Sequence, residues 1–417
     1  MTASAAAPSL APNAFYRRDF RLYFGGLCLG TLANEILAVV VAWQVYEVAR
    51  SPLALGYVGL AQFVPMAAFA MTAGDLADRI DRRMILTAAY VVQSLGAACF
   101  LALTLLGIST IWPFYAVLAL FGSARAFGLP AAQSFLPLLV VEDQFPQAVA
   151  WTSSGRQIAV VVGPALGGAI YLLGPVAAYA ICLTLLSIVA VAIATVRTRS
   201  NPHADDSEST TFERVTAGIR YLRANSIILG AISLDLFAVL LGGATALLPI
   251  YARDILFVGP TGLGLLRSAP AVGAAAISIL LGGLPLRRKV GITMFACVAL
   301  FGFVTIVFGL SRSFSLSLAA LVVLGASDMI SVYVRTTIVQ LATPDEMRGR
   351  VSAVNALFIG ASNQLGEFES GITAHWFGTV PSVVIGGMGT IAIVGIWMGL
   401  FPKLRKVDQM SDVMPGR

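Results

Sequence analysis

Twelve apolar segments, each long enough to cross a lipid bilayer, occupy most of this 417-residue chain. A hydrocarbon core about 30 Å thick requires roughly 20 helical residues per crossing. Only helices and closed barrels satisfy every backbone amide in hydrocarbon, and these segments are much longer than barrel strands. The sequence therefore predicts an all-α membrane protein with twelve transmembrane helices. The predicted spans are residues 22–48, 53–73, 84–107, 112–136, 146–173, 176–196, 226–251, 262–284, 290–310, 314–342, 350–376 and 380–401.

The composition agrees with a membrane location. Apolar residues make up 58% of the chain and charged residues 12%, against roughly 45–50% and about 25% in soluble domains. The net charge of +6 is spread over the connections between spans and does not form a basic patch, so nucleic acid is not an expected partner. The four cysteines lie in four different spans without a neighbouring ligand, which indicates packing residues and no metal site.

Orientation follows from the distribution of Lys and Arg, because positively charged loops stay on the cytoplasmic side of a membrane. With a cytoplasmic N-terminus, twenty of the 27 basic residues fall in cytoplasmic segments and four fall within spans. The three that face outward are then Arg50, Arg253 and Arg312. The sequence predicts a multi-pass protein of the cell (inner) membrane with both termini in the cytoplasm.

The chain also divides into two related halves. Gln133 and Pro137 at the end of the fourth span match Gln340 and Pro344 at the end of the tenth span at a separation of 207 residues. Such a repeat is typical of secondary transporters, whose binding site lies between the two bundles near the membrane midplane. The predicted parts are a cytoplasmic tail at 1–21, a six-helix bundle at 22–196, a cytoplasmic linker at 197–225, a second six-helix bundle at 226–401 and a cytoplasmic tail at 402–417.

Charged side chains at membrane depth are costly unless they are paired or hydrated, so each is a functional candidate. There are nine: Glu35, Arg125, Arg156, Asp235, Arg267, Asp328, Arg335, Glu367 and Glu369. We expect them, together with Asn34, to form a central cavity that binds substrate and couples its movement to protons. Structural ion pairs that hold the bundles in register are the alternative for any one of them.

Two helical faces are expected to line this cavity. Thr31, Asn34, Glu35 and Ala38 share one face of the first span, and Asp328, Ser331 and Arg335 share one face of the tenth span. Glu35 is the first candidate for proton coupling, because burial disfavours the ionised form of a carboxyl and makes its protonation depend on which side is open. Asp235, at the matching place in the second half, is the second candidate.

A charged motif lies between the second and third spans. It reads Gly74-Asp75-Leu76-Ala77-Asp78-Arg79-Ile80-Asp81-Arg82-Arg83. The motif resembles the cytoplasmic signature of the major facilitator superfamily, in which a glycine usually occupies the position of Asp81. The resemblance implies a cytoplasmic gate in which Asp78 meets the positive end of a helix and the arginines pair with acids of the opposite bundle. An ordinary positive loop is the alternative.

The fifth span contains a run of small residues, Gly163-Pro164-Ala165-Leu166-Gly167-Gly168. Small residues at this spacing allow close helix approach, and the proline can bend the helix because it removes a backbone hydrogen bond. The run is similar to the antiporter motif of the same superfamily, with Gly163, Pro164, Gly167 and Gly168 as its characteristic residues. A tight packing seam without a role in exchange is the alternative. In the fourth span, Arg125 is similar to a family arginine, which implies a proton-relay partner.

The second half resembles the enterobactin-exporter-like branch of twelve-span drug:proton antiporters. The resemblance rests on Leu248-Pro249-Ile250-Tyr251, Arg335 and the run Thr343-Pro344-Asp345-Glu346-Met347-Arg348-Gly349-Arg350-Val351. It implies export of a small amphipathic molecule, such as a drug, a siderophore or a metabolite, by a monomer in the bilayer. The proton motive force would drive export without any cofactor. A lipid or lysolipid flippase of the same superfamily, and a non-transporting membrane sensor, remain the alternatives.

The residues that nucleotide binding and enzyme catalysis require do not occur in the necessary context. A phosphate-binding loop needs a lysine after its glycine, and Lys289, Lys403 and Lys406 do not occur in that context. The two histidines, His203 and His375, accompany no nucleophile with a placed base, so enzyme activity is not expected.

Overall fold

The chain forms an all-helical bundle. The computed structural model describes residues 14–199, 211–284 and 286–413, and no β-strand occurs among them. The α-helices are α1 Arg18–Ala49, α2 Pro52–Arg79, α3 Arg82–Leu105, α4 Trp112–Leu139, α5 Phe145–Ile170, α6 Pro175–Ala194, α7 Thr211–Ala224, α8 Ser226–Leu241, α9 Leu248–Ile250, α10 Gly259–Gly283, α11 Val290–Leu310, α12 Phe314–Ala342, α13 Asp345–Phe377, α14 Thr379–Leu400 and α15 Pro402–Arg405. Short 3₁₀ turns and one π-helix, Tyr251–Ile255, complete the described elements.

Helix pairing repeats between the two halves. In the first half α1 packs against α5, α2 against α4 and α3 against α6. The equivalent pairs of the second half are α8 with α13, α10 with α12 and α11 with α14. The halves meet through two further equivalent pairs, α2 with α13 and α5 with α10. The predicted fold of two pseudo-symmetric six-helix bundles is confirmed.

Eleven helical segments of the described chain are long and apolar enough to cross a membrane. The twelfth predicted span corresponds to α13, which has 33 residues and carries several ionisable groups, including Glu367 and Glu369. Its packing against α2 and α8 places it in the middle of the bundle. A helix shielded from lipid by its neighbours can be less apolar than one that faces lipid.

The seventh span is discontinuous, whereas the sequence predicts one helix over 226–251. α8 ends at Leu241, and the chain continues through a 3₁₀ turn, the short α9 and the π-helix. The break follows from Gly242 and Gly243, because glycine is a poor helix former, and from Pro249, which lacks a backbone donor. Gly243 also lies directly against α13, since a Cβ built on it would be 2.5 Å from the carbonyl oxygen of Gly366.

The predicted linker and C-terminal tail contain packed structure. In the linker, α7 lies against α13, and the Tyr221 hydroxyl donates to the carbonyl of Ala342 at 3.0 Å. In the tail, Leu404 is fully buried, and the N–H of Gly291 donates to the carbonyl of Val407 at 3.0 Å. His203 of the linker lies outside the described residues.

Successive spans alternate in direction, so the start of α1 and the end of α14 lie on the same face of the bundle. The guanidinium of Arg18, at the start of α1, donates to the carbonyl of Thr195 just after α6. We call this face the terminal side. The other face, where α1 ends at Ala49 and the π-helix follows α9, is called the opposite side.

Candidate functional site

A cavity of about 660 Å³ lies at membrane depth against the boundary between the two halves. Most of its wall comes from α1 to α5 of the first half, and Ala246, Arg267, Gln364 and Glu367 complete it from the second half. The cavity extends toward the terminal side, where its lining includes Tyr23 near the start of α1. A space of this volume matches the size of ordinary small-molecule sites.

The predicted face of α1 forms part of this wall, with Thr31, Asn34, Glu35 and Ala38. The Asn34 amide donates to Gln93 Oε1 of α3 at 3.0 Å and to the carbonyl of Gly30 at 2.9 Å. Both bonds fix the orientation of the amide. The wall therefore offers polar groups in defined positions beside the Glu35 carboxyl.

Five charged side chains reach the cavity. They are Glu35, Arg125, Arg156, Arg267 and Glu367. Arg267 and Arg125 interact electrostatically with both Glu35 and Glu367. No direct ion pair joins these four side chains in the described part of the chain. The four groups come from α1, α4, α10 and α13, so the two halves share one charge cluster at membrane depth.

Three of the predicted cavity charges lie elsewhere. Asp235 and Arg335 are both buried and form an ion pair between α8 and α12, inside the second bundle. Asp328 lies close enough to interact electrostatically with both. Asp235 and Asp328, with Ser331, line a separate cavity of about 10 Å³, roughly the space of one water molecule. The sequence predicts the shared face of α12, but a helical repeat does not reveal which neighbour that face meets.

Glu369 also lies outside the described lining of the central cavity. The Thr373 hydroxyl, one turn along α13, donates to Glu369 Oε1 at 2.7 Å. Glu369 therefore satisfies its carboxylate within its own helix. Glu367, two positions earlier, points to a different face of α13 and reaches the cavity.

The small residues of α5 make the closest contacts between helices. A Cβ built on Gly163 would lie 2.5 Å from Glu35 Cβ, so this glycine lets α1 and α5 touch beside the carboxyl. A Cβ on Gly168 would lie 2.4 Å from the carbonyl oxygen of Pro260 and 3.1 Å from Gly264 Cα across the boundary between halves. The N–H of Ala165, next to Pro164, donates to Ser268 Oγ of α10 at 3.1 Å.

A polar cluster joins the halves on the opposite side. From the second half, Arg253 forms an ion pair with Glu47 of α1 at 3.4 Å and lies 5.6 Å from the ring centre of Trp43. The Tyr46 hydroxyl donates to Asp254, and the Tyr171 hydroxyl donates to Glu47 Oε2 at 2.7 Å. We call these residues, with Arg50, the opposite-side cluster.

The sequence prediction missed this cluster. The sequence predicts only that Arg50 and Arg253 face outward. The acids beside them belong to no recognised motif. The sequence did contain a signal. An acid and an arginine lie at the end of the first span, Glu47 and Arg50, and another such pair, Arg253 and Asp254, lies at the end of the equivalent span of the second half. The π-helix, which supplies Arg253 and Asp254, is typical of functional segments.

The motif on the terminal side is described only in part. Gly74 lies in α2, and a Cβ on it would meet nothing within 4 Å. The side chains of Asp75 and Asp78 lie outside the described residues, so the predicted gate contact of Asp78 stays a prediction. Arg79 ends α2 and its side chain has an interaction with another residue.

Two hydrogen bonds tie the basic end of the motif to the first half. Arg82 donates to the carbonyl of Ser134 at 3.1 Å and Arg83 to that of Val196 at 2.7 Å. Asp81 caps α3, because its carboxylate accepts the N–H of Arg83 at 3.0 Å. Its φ of −54° requires no glycine, which explains how an acid fits at a position where a glycine is common.

A family model described as "transmembrane secretion effector" matches residues 8–416, nearly the whole chain. The chain belongs to this family of major facilitator transporters. Macrolide efflux protein A of Streptococcus pyogenes is 24% identical over 412 residues, covering 94% of this chain and 98% of that protein. The enterobactin exporter of Citrobacter koseri is also 24% identical, covering 95% of each chain.

Solved structures share the fold of this major facilitator protein. A bacterial homologue of the lysosomal transporter Spinster has a TM-score of 0.69 at 13% identity and covers 97% of this chain and 98% of its own. A POT family transporter in complex with 5-aminolevulinic acid has a TM-score of 0.72 at 12% identity and covers 94% and 97%. The protein is therefore a multi-pass efflux transporter of the major facilitator type and not an enzyme.

Proposed function

We propose that this transporter exports small amphipathic molecules by alternating access, in exchange for protons. The observation that carries the proposal is the central cavity, whose charge cluster is contributed by both halves. A site shared by two halves changes its access when one half tilts against the other. The driving force is the proton gradient, the protein acts as a monomer, and no bound cofactor takes part.

The proposed orientation places the terminal side in the cytoplasm of the producing cell, at its inner membrane. The charge asymmetry of the loops supports it. In this orientation the cavity extends toward the cytoplasm and the opposite-side cluster closes the outer face. The structure then corresponds to an inward-facing state, the state in which an exporter takes up its substrate.

Glu35 is the proposed coupling group. It lies on the cavity wall, within the field of Arg125 and Arg267, and its Cβ is adjacent to Gly163. Movement of the second half, which carries Arg267 on α10, against the first half changes the surroundings of this carboxyl, and with them its affinity for a proton. A group whose proton affinity differs between the two open states can link a proton gradient to the conformational cycle.

The test is Glu35→Gln. Glutamine retains the shape and hydrogen bonding of the protonated carboxyl but cannot release a proton. In inverted membrane vesicles we expect the variant to lose substrate accumulation driven by a pH gradient while it still binds substrate and exchanges it. The starting panel comprises a macrolide and enterobactin, the compounds for which the two relatives are named.

Glu369→Gln is the matched control. Glu369 is also a carboxyl at membrane depth, but it accepts a hydrogen bond from Thr373 of its own helix and lies outside the described lining of the cavity. It should accumulate substrate as the wild type does. Wild-type accumulation by Glu35→Gln would exclude Glu35 as the coupling group. A wild type that accumulates no compound of the panel or of a wider one, with or without a gradient, would contradict export itself.

A further inference from the structure

The charges on the wall of the central cavity do not cancel. Three arginines, Arg125, Arg156 and Arg267, face two acids, Glu35 and Glu367, which leaves one positive charge if all five are ionised. Arg125 and Arg267 act electrostatically on both acids. Arg156 is not among the charges that act on either acid, so the excess positive charge belongs to it.

Arg156 occupies its own level of the cavity. It lies on α5, seven residues toward the terminal side from Gly163, the residue that touches Glu35. Seven helical residues span roughly 10 Å. Its neighbour Gly155 packs against Cys28 of α1, seven residues before Glu35, which independently places Arg156 about two turns below the carboxyl.

The side chain of Arg156 is exposed to the cavity, and no hydrogen bond or ion pair with another described residue holds it. Ser153 of the same helix is exposed and lines the wall beside it, whereas the hydroxyl of Thr152 donates to the carbonyls of Ala148 and Val149 within α5. Leu27, Val149 and Val160 line it as well and offer an apolar surface around the guanidinium. A guanidinium beside the Ser153 hydroxyl is suited to carboxylates and similar anionic oxygen groups, which it binds in a bidentate manner.

We propose that the exported substrates are amphipathic anions, whose carboxylate or equivalent oxyanion binds Arg156 and whose apolar body lies along the wall formed with Leu27, Val149 and Val160. This inference rests on the proposed export function and specifies its substrate class. Substrate and proton use different groups, since Arg156 lies two turns from Glu35. A cell interior at negative potential also favours outward movement of an anion.

Two dyes of the same size and framework separate charge from shape. Fluorescein and rhodamine 123 share a xanthene–phenyl skeleton, but the first is anionic and the second cationic. We expect purified protein in detergent to bind fluorescein more tightly than rhodamine 123, measured for each dye by fluorescence anisotropy. Binding of fluorescein should weaken as salt concentration rises, because salt screens charges.

The variant Arg156→Gln should weaken fluorescein binding by about tenfold or more, the usual effect of losing a charge-assisted hydrogen bond, and should not weaken rhodamine 123 binding, because it removes a charge that repels a cation. Arg156→Lys keeps the charge and should retain most of the preference. Arg312→Gln is the control, because it removes one positive charge from an exposed loop far from the cavity. Gel filtration verifies that each variant is folded.

Tighter binding of rhodamine 123 by the wild type, absence of fluorescein binding, or unchanged fluorescein binding by folded Arg156→Gln would each overturn the inference. If Arg156→Gln does not fold, the inference is tested by the preference of the wild type for fluorescein over rhodamine 123 and by the retention of that preference in Arg156→Lys. Failure of the proposed export function has a different signature, namely vesicles that accumulate no compound although the purified protein binds fluorescein.

Discussion

At the scale of single residues, the ionisable groups at membrane depth fall into two classes. Those of the central cavity line its open space, where Arg125 and Arg267 act electrostatically on Glu35 and Glu367, without direct ion pairs among the described residues. Asp235 and Arg335 are instead 6% and 3% exposed and paired with each other. We expect charges of the first class to be available to ligands and protons, and those of the second to have a structural role in the second bundle.

Asp235→Asn tests the second class. Removing one partner of a buried ion pair costs about 3–5 kcal/mol when the other charge is left uncompensated, and Asp328 near Arg335 offsets part of that cost here. We expect a marked fall in the unfolding temperature of the purified protein. The control is Arg288→Gln, because Arg288 and Asp408 form an ion pair whose side chains are 78% and 44% exposed. Exposed pairs contribute about 0–1 kcal/mol. Equal unfolding temperatures for the two variants would contradict the distinction.

The sequence identifies these charges but not their partners. A charged residue inside an apolar span is visible from the hydropathy alone, and all five cavity charges are among the predicted candidates. Asp235 and Arg335 are 100 positions apart, and no helical period links them. Partner choice depends on helix rotation and neighbours, which are set by packing of the whole bundle.

At the scale of helices, α5 and α10 meet backbone to backbone at one point. Gly168 and Gly264 bring two backbones together at the boundary between halves. Such contacts allow helices to approach closely and to shift against each other. In the proposed transport cycle, we expect the halves to move about the α5–α10 pair and its equivalent, α2–α13.

Gly168→Ala should impair this movement. The added Cβ would lie 2.4 Å from the backbone oxygen of Pro260, which cannot move aside as a flexible side chain would, and overpacking of this kind costs about 1–3 kcal/mol. We expect transport by the variant to fall severalfold at an unchanged amount of protein in the membrane. Gly395→Ala in α14 is the control, because a Cβ there meets nothing within 4 Å. Equal transport by the two variants would argue against a close contact at Gly168.

Arg253→Gln should loosen the opposite-side cluster. The ion pair with Glu47 is partly exposed, so its loss is worth about 1 kcal/mol, or a roughly fivefold change in the ratio of the two open states. Spin labels at Ser109→Cys and Arg312→Cys, both on exposed loops of the opposite side, would report longer distances in the variant.

Arg50→Gln provides the comparison within the same cluster. Arg50 is more exposed and lies 3.9 Å from Asp254, so its removal should shift the distances less. A distance distribution identical to the wild type for Arg253→Gln would show that the cluster does not hold the halves together.

The sequence predicts where helices begin and end better than it predicts breaks within them. Predicted spans 290–310 and 314–342 coincide with α11 and α12, because apolar runs end where loops carry charges and turn residues. The break after Leu241 and the π-helix were not predicted. Apolar composition continues through both, so hydropathy alone does not reveal an irregular backbone there, although Gly242, Gly243 and Pro249 lie in this segment.

At the scale of the whole molecule, the orientation in the membrane remains a prediction. The charge asymmetry of the loops predicts that residue 203 lies in the cytoplasm and that Arg312 lies outside. In a cysteine-free background, an impermeant maleimide added to intact cells should label Arg312→Cys and leave His203→Cys unlabelled until the cells are opened. Labelling of position 203 in sealed cells would reverse the orientation and, with it, the direction assigned to transport.

The glycine contact between α5 and α10 also bears on how such a protein can diversify. Where one backbone rests on another, almost every substitution adds atoms to a place without space, so this contact tolerates little sequence change. The cavity wall consists of side chains around an open volume and tolerates much more. Exporters built in this way can acquire new cargoes through point mutations at the wall, and laboratory selections for altered resistance should yield changes there while Gly168 and Gly264 stay fixed.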